Sequence, residues 1–283
     1  MFWRRSYTRL ALAVVLTWTA LINPFSIEGQ ARRGGQREQG ERRGNAPRSE
    51  AAERIQKASY LFRETNSKVE FAIFVSSKVK KSNKSPLVIA LHGAGVSPEQ
   101  MLGFVVDAAE AGGYIVAAPT GYSLEGWYGV PGRTPRDAQP ANLSELSEKD
   151  VMNVLDLMRQ QFNIDERRTY LLGQSMGGAG ALHLGVKYRE IWAAVGATAP
   201  AAGSLSPASL ENATDVPMIL VHGDADQSVS VAQTRRWADK LRELKMKYEY
   251  YEIPGGGHRD AIITGADRVF KFFDKHSRTA TAR

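Results

Sequence analysis

Cysteine is missing altogether from the 283 residues, which excludes disulfides, thiolate nucleophiles and Cys-based zinc sites together. A run long enough for stable membrane insertion is also missing at the N-terminus. The uncharged apolar stretch Leu10–Ile22 is short against the roughly 20 residues that a bilayer needs. Preceded by Arg4, Arg5 and Arg9 and followed by Gly29-Gln30-Ala31, it reads instead as a secretory signal peptide cleaved after Ala31. An uncleaved anchor is the alternative, and the lack of cysteine rules out a lipid-modified cysteine. Concentrated positive charge is missing from the body of the chain. Of the formal +7, net +5 falls within residues 1–50 and +2 remains for residues 51–283, so the nucleic-acid-binding footprint of a basic folded surface is not there.

Large apolar residues are scarce between Arg32 and Glu53, a segment of Arg, Gly, Gln and Glu that cannot bury enough surface to order itself. Residues 32–57 are therefore expected to be a disordered linker, the alternative being an arm that binds anionic polymers. The 43% hydrophobic and 24% charged composition suits one sizeable core, placed at residues 58–277 with a flexible tail at 278–283.

Within that region short β-rich runs alternate with segments of helical period, the pattern of a doubly wound, mostly parallel α/β sheet with helices on both faces. Strands are expected at Val69–Val75, Pro86–Leu91, Tyr114–Ala118, Thr169–Leu172, Trp192–Ala197, Met218–His222 and Tyr248–Ile253. Several are unbroken apolar runs, as strands buried on both faces require. Helices are expected at Pro98–Ala111, Leu146–Phe162, Ser175–Tyr188, Val231–Leu244 and Ala261–Lys275.

The chemistry concentrates at Thr169–Gly180, where an apolar strand runs into Gly173-Gln174-Ser175-Met176-Gly177 and then a helix of small residues. A nucleophile projecting from so sharp a turn needs neighbours without side chains, which Gly173 and Gly177 supply. The helix N-terminus behind Ser175 favours a developing oxyanion. A serine hydroxyl also needs a base, itself oriented by an acid. His258 follows the Gly255-Gly256-Gly257 turn after a strand, at the same sheet edge as Ser175, and is the candidate base. His92 and His222 each end a strand before Gly, where bonding within the turn is the usual role; His183 lies in a helix and His276 in the tail. The acid comes from the turn after Met218–His222, where Asp226 reaches further than Asp224; Asp224 is expected to stabilise the turn. The oxyanion donors are expected at the amides of Met176 and of Ala94 in His92-Gly93-Ala94-Gly95, a loop without the Lys and Ser/Thr of a phosphate cradle. The long connection Gly121–Asp150 is expected to shape a substrate pocket, with Tyr122, Trp127 and Tyr128 offering flat surface to a substrate or, alternatively, packing the loop onto the domain.

With these segments in order, residues 58–276 resemble the α/β-hydrolase superfamily. Leu91–Gly95, Gly173–Gly178 and His222–Asp226 are similar to the secreted polyhydroxybutyrate depolymerase and feruloyl esterase group, with dienelactone-hydrolase-like and prolyl-oligopeptidase-like domains as neighbours. The resemblance implies a Ser175, Asp226, His258 triad, the Ala94 and Met176 amides as oxyanion hole, and a small-molecule or polymeric ester as substrate. No metal, organic cofactor or nucleic-acid partner is implied, and oligomeric state is not legible. A serine peptidase and a catalytically silent binding protein on the same fold are the competing functions.

Overall fold

A computed structural model describes residues 26–28, 49–133 and 137–279. The candidate signal segment Leu10–Ile22, the cleavage point after Ala31 and linker residues 32–48 lie outside the described residues, but Ser26–Glu28, counted within the signal peptide expected to be removed, pairs with residues 57–59 as an edge strand of the sheet, which the cleavage expectation did not foresee. The elements are β1 (Ser26–Glu28), β2 (Gln56–Phe62), β3 (Ser67–Val75), β4 (Ser85–Leu91), α1 (Pro98–Gly112), β5 (Ile115–Pro119), α2 (Leu143–Gln161), β6 (Ile164–Gln174), α3 (Met176–Lys187), β7 (Ala194–Thr198), β8 (Met218–Gly223), α4 (Val231–Glu243), β9 (Tyr248–Ile253), α5 (Asp260–Ile263) and α6 (Ala266–Asp274).

The strands form one sheet in the order β1-β2-β3-β5-β4-β6-β7-β8-β9. The pairs from β1 to β3, and β3 with β5, are antiparallel, and every pair from β5 to β9 is parallel. All of β4 is buried because its side chains feed two cores. Leu87, Ile89 and Leu91 pack with α2, α3 and α4 on one face, and Val88 and Ala90 pack with α1, α5 and α6 on the other. Period-2 alternation between two dry faces explains the unbroken apolar runs. This is the α/β-hydrolase fold.

The strand order reverses at β4, whose neighbours are β5 on one side and β6 on the other. The loops leaving the carboxyl ends of β4 and β6 therefore depart in opposite directions and open the crevice where ligands bind in such sheets. Local chemistry fixes where the helices begin. Ser97 caps α1 with a reciprocal Gln100 bond and Pro98 follows it, so the helix starts where its free N–H groups are satisfied.

Four features of the fold depart from the sequence expectations. The single helix expected at Ala261–Lys275 is divided into α5 and α6 at Thr264 and Gly265, and the backbone there needs glycine, since a side chain on Gly265 would overlap the Ala261 carbonyl and crowd Val221. β2 was not expected: it is near the sheet edge, and its half-exposed pattern has neither an unbroken apolar run nor clean alternation. Residues 49–57, given to the linker, belong to the folded domain. Ala51 is buried, and Arg54 pairs with Glu110 at 2.6 Å and lies over the Phe74 ring. At the other end Arg278, given to the tail, donates its backbone N–H to Arg167 O at 3.0 Å.

Candidate active site

Ser175 occupies the turn between β6 and α3 with φ 57° and ψ −115°. A non-glycine residue there carries roughly 1–3 kcal/mol of strain, held by three bonds. Ser175 N donates to Thr198 O at 2.9 Å, and Ser175 O accepts from Ala179 N and Ala201 N, both at 3.0 Å. The flanking glycines are required by contact. A Cβ on Gly173 would overlap the Gly177 carbonyl, and one on Gly177 would overlap the carbonyls of Leu91 and His92.

The loops after β8 and β9 are joined by backbone bonds, Asp224 N to Ile253 O at 3.2 Å and Ala225 N to Gly256 O at 3.0 Å. That seam brings Asp226 and His258 beside Ser175. His258 Nε2 lies 2.9 Å from Ser175 Oγ and His258 Nδ1 lies 2.7 Å from Asp226 Oδ2. With a carboxylate on Nδ1, that nitrogen carries the hydrogen and Nε2 is left to accept from the serine hydroxyl. Asp226 Oδ1 accepts Ser228 N at 2.7 Å and Val229 N at 2.9 Å. Burial pushes the Asp226 carboxyl up, but the bonds from Val229, His258 and Ser228 outweigh it and hold the group below the usual carboxylate range. Asp224 plays the turn role expected of it, accepting Gly255 N at 2.7 Å.

Met176 is the first residue of α3, where the N–H has no acceptor within the helix. Ala94 is exposed in the loop after β4, and its N–H donates to no acceptor among the described residues, whereas the next amide, Gly95 N, is spent on Leu124 O at 3.2 Å.

The three aromatic residues expected to offer substrate surface separate. Tyr128 is fully buried: its ring packs on Gly121 and Gly180 and its hydroxyl donates to His92 O at 3.2 Å, so the substrate-surface expectation fails for it. Tyr122 is half-buried against the Phe62 ring at 5.2 Å, with its N–H on Asp150 at 2.9 Å. Trp127 is half-buried and carries the Arg133 guanidinium 4.4 Å above its ring. Arg133 reaches Ala201 O at 3.3 Å, and Ala201 is the residue whose N–H bonds Ser175 O.

Two contacts were not read from the sequence. Gln174 Nε2 lies 3.2 Å from His258 Nε2, and His222 Nε2 lies 3.0 Å from Asp226 Oδ2. The spacing His222-x-x-x-Asp226 across a tight strand-end turn was the available signal for the second. His92, by contrast, stays within its expected turn role, with its ring nitrogens 2.8 Å from Gly93 O and 2.9 Å from Thr120 O.

The fold and this cluster define an α/β-hydrolase with a Ser-His-Asp arrangement. The family model of phospholipases and carboxylesterases matches residues 73–276, and the chain belongs to that family. It is 27% identical over 161 residues to the bifunctional acetylxylan esterase/xylanase XynS20E of Neocallimastix patriciarum, covering 56% of this chain and 22% of that protein. The chain thus spans about a fifth of that relative's length. Its fold is similar to the crystal structure of a thermostable esterase, with TM-score 0.63 and 24% identity over 81% of this chain and 64% of the other. It is also similar in fold to the ferulic acid esterase AmCE1/Fae1A of Anaeromyces mucronatus, with TM-score 0.60 and 18% identity over 78% and 90% of the two chains. No helix among the described residues is long and apolar enough to cross a membrane.

Proposed function

We propose that this chain hydrolyses carboxylic esters through an acyl-enzyme on Ser175. The observation that carries the reading is the unbroken chain from Ser175 Oγ through His258 to Asp226, with links of 2.9 and 2.7 Å. His258 Nε2 takes the hydroxyl proton as Oγ attacks the ester carbonyl carbon. The resulting oxyanion is met by the N–H groups of Met176 and Ala94, and each such donor is worth about 10²- to 10³-fold in turnover. His258 returns the proton to the departing alkoxide, leaving the acyl group on Oγ. Water, deprotonated by the same imidazole, then releases the acid and restores the hydroxyl. Asp226 stays ionised and holds the Nδ1–H tautomer throughout.

The substrate classes to test first are acetyl and feruloyl esters, since an acetylxylan esterase and a ferulic acid esterase stand among the similar proteins. Trp127, half-buried near the nucleophile's backbone partner Ala201, is the aromatic surface proposed to meet the substrate. Export is part of the reading and is supported by Arg4, Arg5 and Arg9 before Leu10–Ile22; the N-terminal sequence of the mature protein checks it. The activity is tested with p-nitrophenyl acetate, methyl ferulate and an aminoacyl nitroanilide, on wild type and Ser175→Ala. Ester turnover lost in the variant supports the reading. Amide cleavage without ester cleavage replaces it with a peptidase, and undiminished turnover in Ser175→Ala removes it.

A further inference from the structure

Asp226 carries a second imidazole on the same oxygen that faces His258. His222, near the end of β8, is fully buried. Its Nε2 lies 3.0 Å from Asp226 Oδ2 and 3.0 Å from Val229 O, and its Nδ1 lies 2.6 Å from Thr234 Oγ1 of α4. Both neighbours of Nε2 are acceptors, so Nε2 carries the hydrogen. In the neutral ring Nδ1 then accepts from the Thr234 hydroxyl. Burial pushes this imidazole down against the opposing pull of Val229 O and Asp226, which favours the neutral form in which only Nε2 donates.

The carboxylate thus accepts four hydrogen bonds, two amides on Oδ1 and two imidazoles on Oδ2. The amides alone would fix a carboxylate at a turn. The His222 bond falls on the oxygen whose charge supports His258, and Thr234 of α4 fixes its direction from behind. Resting on the reading of Asp226 as the triad acid, we propose that His222 is a positioning residue for ester hydrolysis. Its Nε2–H holds Asp226 Oδ2 in line with His258 and takes up part of that oxygen's charge, setting how firmly the carboxylate supports the imidazolium formed during turnover.

Few other charged or titratable groups face the pair. Glu252 on β9 lies opposite His222 and is paired with Arg235 of α4 at 2.7 Å. Ser175 and Gln174 approach His258 Nε2. Asp224 and Asp260 on the adjoining loops accept the amides of Gly255 and Gly257, and Arg259 follows His258 in the chain.

The test compares full-chain wild type, His222→Leu and His222→Gln by the pH profile of kcat/KM on a turned-over ester, with kcat, KM and thermal midpoint alongside. Glutamine places an amide N–H near the Nε2 position. In His222→Leu, kcat is expected to fall about 10- to 100-fold at constant KM. The acid limb is expected to move up by about 0.5 to 1 pH unit, because an Oδ2 charge shared with no second donor holds the imidazolium more firmly. His222→Gln is expected to recover most of kcat and return the limb. An unmoved limb, or equal impairment of the two variants, overturns the inference. Should His222→Leu not fold, Thr234→Val is read the same way, with a smaller shift in the same direction expected and no shift overturning the proposal. Loss of activity in Ser175→Ala alongside an unmoved limb in His222→Leu would fail this inference alone, whereas full activity in Ser175→Ala would fail the hydrolase reading itself.

Discussion

Two sets of loops crown the same edge of the sheet, and they are built in different ways. The turns after β8 and β9 hold their polar side chains in a chain of hydrogen bonds that ends at Ser175. The connection after β5 is held from beneath by α2 and contributes packing. Ser147 Oγ accepts Tyr128 N at 3.0 Å, Asp150 accepts Tyr122 N at 2.9 Å, and the Tyr128 hydroxyl reaches His92 O at 3.2 Å. Since Gly95 N donates to Leu124 O in the same connection, this second region buttresses the Ala94 loop from behind. In the proposed mechanism one region supplies the reacting side chains, and the other fixes the backbone of the loop that carries the Ala94 amide.

The contrast is broken most easily at the two aspartates of the β8 turn. Asp226→Asn is expected to lower kcat about 10⁴-fold by supplying the wrong tautomer to His258. Asp224→Asn, whose side chain accepts Gly255 N in the turn, is expected to stay within about threefold of wild type and to lose about 1 kcal/mol of stability. Comparable losses of kcat in the two would erase the distinction between reactive chain and turn support.

A second prediction concerns the α2 support. Burial pushes the Asp150 carboxyl up to about 6, against the bonds from Tyr60, Tyr122 and Gly121. The unfolded chain releases that proton near pH 4, so the folded protein binds more protons between about pH 4 and 6 and this group weakens the fold as pH rises through that window. Asp150→Asn removes the titration. Whatever offset the lost hydrogen bonds impose, the variant is expected to gain on wild type by up to about 3 kcal/mol between pH 4 and 7 in denaturant unfolding. Parallel stability curves would contradict it.

The smallest effect sharpens the comparison most. Tyr128→Phe removes the hydroxyl bond to His92 O and is expected to lower kcat about 3- to 10-fold with KM unchanged. A raised KM with kcat preserved would instead return Tyr128 to the substrate surface.

What was legible in the sequence follows the same division. Ser175, Asp226 and His258 could be found because each stands at a strand end whose glycine or polar turn has a chemical reason, and chain order left few partners. Strands β4 and β8 announce themselves because both of their faces are dry. For Tyr128 the sequence left surface and packing readings open, and for His222 it offered only the spacing to Asp226, since what such a side chain does depends on what lies across space. Tyr128 has glycines beneath it, which turns an amphipathic ring into a buried pin. His222 looks like any strand-end histidine until Asp226 folds back onto it. β2 and residues 49–57 stayed hidden because their order comes from pairing with β3 and from Arg54 meeting Glu110, neither of which leaves a periodic trace.

The most direct test of the central claim is covalent trapping with diethyl p-nitrophenyl phosphate, followed by peptide mass spectrometry of wild type, Ser175→Ala and His258→Ala. One diethylphosphoryl group is expected per wild-type chain, on the peptide containing Ser175, with none in Ser175→Ala and strongly slowed capture in His258→Ala. Stoichiometric labelling of any other residue, or equal labelling rates in wild type and His258→Ala, would contradict a nucleophile activated by His258.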